Sequence, residues 1–227
     1  MEHGGGGHEI GVHKLAHLAG FTLNIDTLYM TWLTMAIVLV IAFLATRSLS
    51  IVPGGWQNML EMAVTALLEQ IENTMGPRGA KLAPLIITLF LFLLIANWLG
   101  LIPGFTSPTA DLNTTLGLAL MVILMVHVLG AVNKGLFNYL KHFFQPYAPF
   151  VIINIIEELA KPITLSFRLF GNILAGEVLI IILGLLVPYF VPTLWLGFSV
   201  FVGIIQAFIF TMLSMSYLAN SVKNDHH

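Results

Sequence analysis

The sequence predicts an all-α integral membrane protein with five transmembrane helices and one amphipathic interfacial helix. Three observations carry this. The 227-residue chain is 58% hydrophobic and 9% charged, with a mean hydropathy of +0.93, whereas a soluble domain needs roughly a quarter of its residues charged to face water. Five apolar runs approach or exceed the roughly 20 residues that a helix needs to cross a bilayer. None of the five alternates polar and apolar residues at period two, which removes a transmembrane β-barrel. Nine basic and eleven acidic residues give a net charge of −2, so no basic patch exists to neutralise nucleic-acid phosphates. With no cysteine in the chain, disulfides, cysteine-held metals and thiol catalysis are also excluded.

Residues 1–25 form a polar tail rich in glycine and histidine. His3, His8, His13 and His17 fit no defined metal-site spacing, so the segment reads as a flexible, solvated tail, and no metal or cofactor is expected. A single membrane domain covers residues 26–227. Its first span is expected over about 28–46. Next, 55–75 repeats Met59, Leu60, Ala63, Leu67 and Ile71 at helical spacing, with Glu61, Glu69 and Glu72 mostly elsewhere on the wheel. This is an amphipathic helix for the membrane surface or a partner.

The second and third spans are expected over about 82–102 and 112–132. Asp111 ahead of Leu112-Asn113-Thr114-Thr115 has the character of a helix N-cap. Residues 133–149 set aromatics beside Lys134, Lys141 and His142, an interfacial composition. A fourth run, about 151–187, would reach about 55 Å as one helix, so it must tilt, bend or run partly along the interface. The fifth span covers about 193–220.

Basic residues set the orientation. Arg47, Arg78 and Lys81 flank the first connection, Lys134 and Lys141 lie in the third, and Lys223 follows the last span. The second connection, 103–111, and the turn at 188–192 have no Lys or Arg. The positive-inside rule then places the N-terminus outside and the C-terminus in the cytoplasm.

A few polar groups sit where lipid should be. Glu157, Glu158 and Lys161 remain close enough to the inner interface to be solvated. Arg168 lies deeper, and an arginine at mid-bilayer costs at least about 2.5–3.5 kcal/mol with no escape by losing its proton. Glu177 follows nine residues later, about 900° around the helix and about 13 Å along it. The two side chains therefore leave opposite faces, and an intrahelical ion pair is disfavoured. Thr164, Gly171, Asn172 and Ala175 share the Arg168 face, and such small or polar residues let another helix approach closely. On the last span, Ser199, Gly203, Gln206, Tyr217 and Asn220 form one rough stripe. Gln206 requires hydrogen-bond partners in hydrocarbon. Asn97, Asp111 and Asn113 lie towards the outer ends of their spans, and His127 towards the inner end of the third, where snorkelling or capping accounts for them equally well.

The stretch from Glu158 to Glu177, ELAKPITLSFRLFGNILAGE, resembles the signature of subunit a of the F-type ATP synthase. Gln206-Ala207-Phe208-Ile209-Phe210 resembles that family's C-terminal signature, and the likeness runs from the first span to the C-terminus. The resemblance implies a non-catalytic stator of the membrane sector F0; a bacterial plasma membrane is expected because no transit peptide precedes the first span. That stator forms two aqueous half-channels and presents an essential arginine to the carboxylates of a rotating c-ring. Arg168 corresponds to that arginine and Gln206 to its polar neighbour; Asn172 and Glu177 match half-channel positions. Thr164, Ser199, Tyr217, Asn97, Asp111 and Asn113 are candidate lining groups.

The implied partners are the c-ring, peripheral stalk subunit b, the other synthase subunits and lipid; H⁺ is the expected ion. The last two spans are expected as a long, tilted hairpin against the ring. There are two departures. Ser199 stands where some relatives have a histidine paired with the acid at the Glu177 position, and Gly100 where some have an aspartate. An ion-coupled secondary transporter is the alternative reading, but no inverted repeat or pair of broken helices supports it. No Walker loop or nucleotide fingerprint is present.

Overall fold

A computed structural model describes residues 15–18, 21–47, 54–102, 104–135, 139, 150–187 and 190–222. Among the described residues six α-helices dominate: α1 (Ile25–Arg47), α2 (Trp56–Met75), α3 (Ala83–Leu99), α4 (Leu112–Lys134), α5 (Phe150–Leu186) and α6 (Phe190–Val222). All but α2 are long and apolar enough to cross a membrane. The expected interfacial segment 133–149 falls largely outside the described residues, as do His3, His8 and His13.

Several boundaries and one element depart from expectation. Residues 15–24, expected as solvated tail, hold two short antiparallel strands, β1 (Leu15–Leu18) and β2 (Phe21–Asn24), with Leu15 opposite Asn24 and Leu18 opposite Phe21. The second strand, Phe21-Thr22-Leu23-Asn24, alternates apolar and polar residues at period two, a strand signal that a search for long apolar runs passes over. The second span ends at Leu99 rather than 102, because Pro103 disfavours helix in the residue before it. Its start is preceded by a 3-10 turn, Pro77–Leu82. The last helix begins at Phe190 rather than 193. Pro192 is tolerated there because the first-turn N–H groups of a helix have no intrahelical acceptor.

Helix α2 docks on the bundle through its C-terminal half. Ile71 and Met75 are buried with Ala83 and Ile86 of α3, Val126 of α4, and Met215, Leu218 and Val222 of α6. Only the C-terminal half of its apolar stripe is covered, since Met59 and Met62 remain exposed. Met59, assigned from spacing to the apolar contact face, therefore lies outside it.

A second core joins Leu89, Phe90 and Leu93 of α3, Ala119 and Val122 of α4, Leu165 and Leu169 of α5, and Ala207 and Phe210 of α6. The broadest helix contacts are α4 with α5 and α3 with α6.

Polar clamps hold the opposite end. Asp111 caps α4 by accepting from the Asn113 N–H at 2.9 Å. Its other carboxylate oxygen accepts from Asn24 Nδ2 at 2.5 Å and Thr27 Oγ1 at 3.1 Å, which ties the start of α1 to the start of α4. The starts of α1 and α4 thus share one end of the bundle. The end of α2, the start of α3 and the ends of α4 and α6 share the other.

Candidate functional site

Helix α5 sets the geometry of the site. It continues unbroken for 37 residues with Pro162 inside, about 55 Å at 1.5 Å per residue. Only 6% of its most apolar window is buried, against 50% for the span containing α3. Ile156, Leu159, Ile163 and Phe167 are all exposed, as are Phe201, Ile204 and Phe208 on α6. The α5–α6 hairpin therefore presents a long apolar face that the other described residues leave uncovered.

Arg168 lies on that face and is exposed, as are Thr164, Gly171 and Ala175. Among the described residues it makes no ion pair or hydrogen bond. Its sequence neighbour Leu169 is anchored in the same core as Ala207, the neighbour of Gln206, so one packed layer holds both polar residues in place. Gln206 itself is half-buried. The backbone at Arg168 is thus anchored, and its guanidinium, paired with no acid among the described residues, retains all five donors for a partner.

Glu177 is directed elsewhere. It lines a cleft of about 200 Å³ together with Asn172, Ala175 and Gly176 of α5, Asn97 of α3, and Trp195, Ser199 and Gly203 of α6. Asn172 and Ala175 were expected on the Arg168 face, yet they line the Glu177 cleft. The cleft wall thus wraps from one face of α5 to the other. Arg168 and Gln206 are not part of its lining.

The cleft is braced from the α3 side. Asn97 donates to the Gly203 carbonyl at 3.1 Å and accepts from Thr109 Oγ1 at 2.9 Å. Ser107 joins Thr109 at 2.7 Å and donates to the Ala96 carbonyl at 2.9 Å. Trp98 Nε1 donates to the Val200 carbonyl at 3.2 Å. Asn97 is therefore both a lining group and a strut between α3 and α6.

The departure at Gly100 has a steric cause. A Cβ there would sit 2.5 Å from Ser107 Cβ, so the fold around the 107–109 turn leaves no room for a longer side chain. Asp111 and Asn113, candidate lining residues, belong to the α4 cap and are absent from the cleft wall. Tyr217 is absent from it too; its ring lies 5.7 Å from Lys161 Nζ.

Periodicity did not reveal two further features. Trp195 Nε1 is buried beside the cleft with no hydrogen-bond partner, an indole N–H that pattern reading treats simply as apolar. The second is a polar cluster at the other end of the bundle, joining His127, Tyr139, Glu158 and Lys161. Among the described residues no group of three or more metal-ligating side chains occurs.

Comparison with known proteins agrees over almost the whole chain. The family described as ATP synthase A chain matches residues 28–219. The "ATP synthase subunit a" of Desulforamulus reducens is 45% identical over 94% of this chain and 86% of its own length. That of Moorella thermoacetica is 44% identical over 87% of this chain and 90% of its own. The Geobacter sulfurreducens protein of the same name is 42% identical over 88% of this chain and 89% of its own.

Proposed function

From the premise that the chain belongs to the ATP synthase A chain family, and is thus a non-catalytic subunit of the proton-translocating membrane sector, we propose that Arg168 is the fixed cation of its stator surface. The observation that carries this reading is an exposed guanidinium, unpaired among the described residues, on the α5–α6 face that those residues leave uncovered. A charge on a lipid-facing surface is costly, so the arrangement makes sense against a moving partner that supplies a carboxylate. That partner is a c-ring; subunit b and the remaining synthase subunits complete the complex.

A proton enters from outside through the cleft at Glu177, Asn172 and Ser199 and neutralises a ring carboxylate. The neutral site then turns through lipid, which an ionised one does only at great cost. Near the end of the turn the carboxylate meets Arg168, whose charge stabilises the ionised form and favours release towards the cytoplasm. The same fixed charge opposes direct proton passage between the two paths, and Gln206 supplies a neutral hydrogen-bonding neighbour. Moving one elementary charge across 100 mV yields about 2.3 kcal/mol, so several transfers drive each ATP made. The protein lies in a bacterial plasma membrane with its N-terminus outside and its C-terminus in the cytoplasm.

Because the chain has no cysteine, an introduced one is unique. Thr164→Cys and Ala175→Cys are expected to cross-link to a ring subunit carrying a cysteine beside its carboxylate. Phe43→Cys on the exposed side of α1 is expected not to. Cross-links from position 43 alone would contradict the placement of the ring.

A further inference from the structure

The polar cluster at the other end of α5 is not used in the scheme above. Glu158 lies ten residues before Arg168, about 15 Å along the helix. Its Oε1 accepts from Lys161 Nζ at 2.6 Å. Its Oε2 is buried without a hydrogen-bond partner and lies 3.9 Å from His127 Nε2 on α4. The other ring nitrogen, Nδ1, is 2.6 Å from the Tyr139 hydroxyl. Lys161 also sits 3.6 Å from Glu157 and over the Tyr217 ring of α6. Among the described residues, the charged and titratable groups around the pair are Glu157 and Lys161 on α5, Tyr139 in the α4–α5 connection and Tyr217 on α6.

We propose that Glu158 and His127 form a proton-exchange station on the release path, through which protons leaving the ring beside Arg168 reach the cytoplasm. The inference rests on the stator reading above. A purely structural bridge would satisfy both carboxylate oxygens, because a buried acceptor left unpaired costs about 1–3 kcal/mol. Here one oxygen is left open and faces an imidazole, the side chain suited to exchange protons near neutral pH. The gap of 3.9 Å is just beyond a direct hydrogen bond, so a small side-chain movement closes it.

With Nδ1–H donating to the Tyr139 oxygen, Nε2 is the acceptor that faces Glu158. Oε2 takes a proton arriving through water from the ring and passes it to Nε2. The resulting imidazolium gives that proton to cytoplasmic water, which restores both groups. Burial, and then the nearby Glu158 carboxylate, push the Tyr139 phenol up from its ordinary value, so Tyr139 stays neutral and fixes the ring without competing for the proton. His127, with its side chain one-third exposed, is within reach of water.

The test uses the assembled synthase in inverted vesicles, whose outer surface is the cytoplasmic face. Glu158→Gln and His127→Ala are expected to slow proton-driven ATP synthesis about tenfold, less than the ~10²-fold or more typical of a lost proton-transfer group, because water substitutes in part. Millimolar imidazole outside the vesicles should restore much of the His127→Ala rate, and the loss should vary with the outer pH. Wild-type rates in both variants would overturn the proposal. So would a loss that is the same at every pH and indifferent to imidazole, which marks a structural brace. His127→Gln keeps the hydrogen-bonding shape without exchanging protons, and it is measured in place of an alanine variant that fails to assemble. Vesicles carrying Arg168→Ala isolate the underlying reading: coupled synthesis there refutes the stator role itself, whatever the His127 variants do.

Discussion

Arg168→Ala is expected to abolish proton-driven ATP synthesis in membrane vesicles while leaving the subunit assembled with its ring. Assembly should survive because the residue is exposed and makes no hydrogen bond or ion pair among the described residues; the core beneath it is built from Leu165 and Leu169. Coupling should fail for an electrostatic reason. At about 4 Å and an effective dielectric of about 20, a guanidinium stabilises a carboxylate by about 4 kcal/mol. That is roughly a thousand-fold in the ionised population. Without it, ring sites reach the release path still protonated, and the barrier between the two paths disappears as well. Arg168→Lys should recover little, since a compact ammonium lacks the planar fork that holds a carboxylate in place. Wild-type coupled rates in Arg168→Ala would refute the role assigned to this residue.

The second largest effect is expected at Glu177. Glu177→Gln preserves the shape of the cleft and its polar wall but removes the one ionisable side chain among its lining residues. Proton-driven synthesis should fall about 10²-fold, the lower end for loss of a positioned proton-transfer group, since water in the cleft provides a weaker route. Glu177→Asp should keep a substantial part of the rate, because it retains a carboxyl group. Equal rates for Glu177→Gln and the unmodified protein, measured at the same outer pH, would remove Glu177 from the entry path. Ser199 cannot take over. A hydroxyl relays a hydrogen bond but does not hold a proton near neutral pH.

The contrast between these two residues and the rest of the site shows what a sequence carries on its face. Apolar run length located the five spans to within a few residues, because lipid requires each to satisfy its backbone internally. Arg168 and Glu177 stood out because charge is rare in such runs, and the nine-residue spacing correctly set them apart. The Asp111 cap was legible from local chemistry alone.

What escaped was long-range pairing. No periodicity tells that Asn97 reaches Gly203, that Asp111 also holds Asn24, or that His127 meets Glu158. The identity of Gly100 became intelligible only when Ser107 was found against it. The 15–24 hairpin was missed because its strands are four residues each, far shorter than the runs that define a span. The amphipathic helix was recognised from its pattern, but its cover could not be: the pattern reports an apolar stripe, and only the fold shows it docked on α3 and α6.

The most direct measurement is the surroundings of the Arg168 guanidinium in a high-resolution map of the assembled membrane sector with its ring. The stator account predicts a ring carboxylate within about 4–6 Å of the guanidinium, the range over which an opposite charge favours ionisation, and no acid of the same chain paired to it. A guanidinium turned inward onto Glu177 or Glu158, or a ring seated on another face of the bundle, would contradict the account.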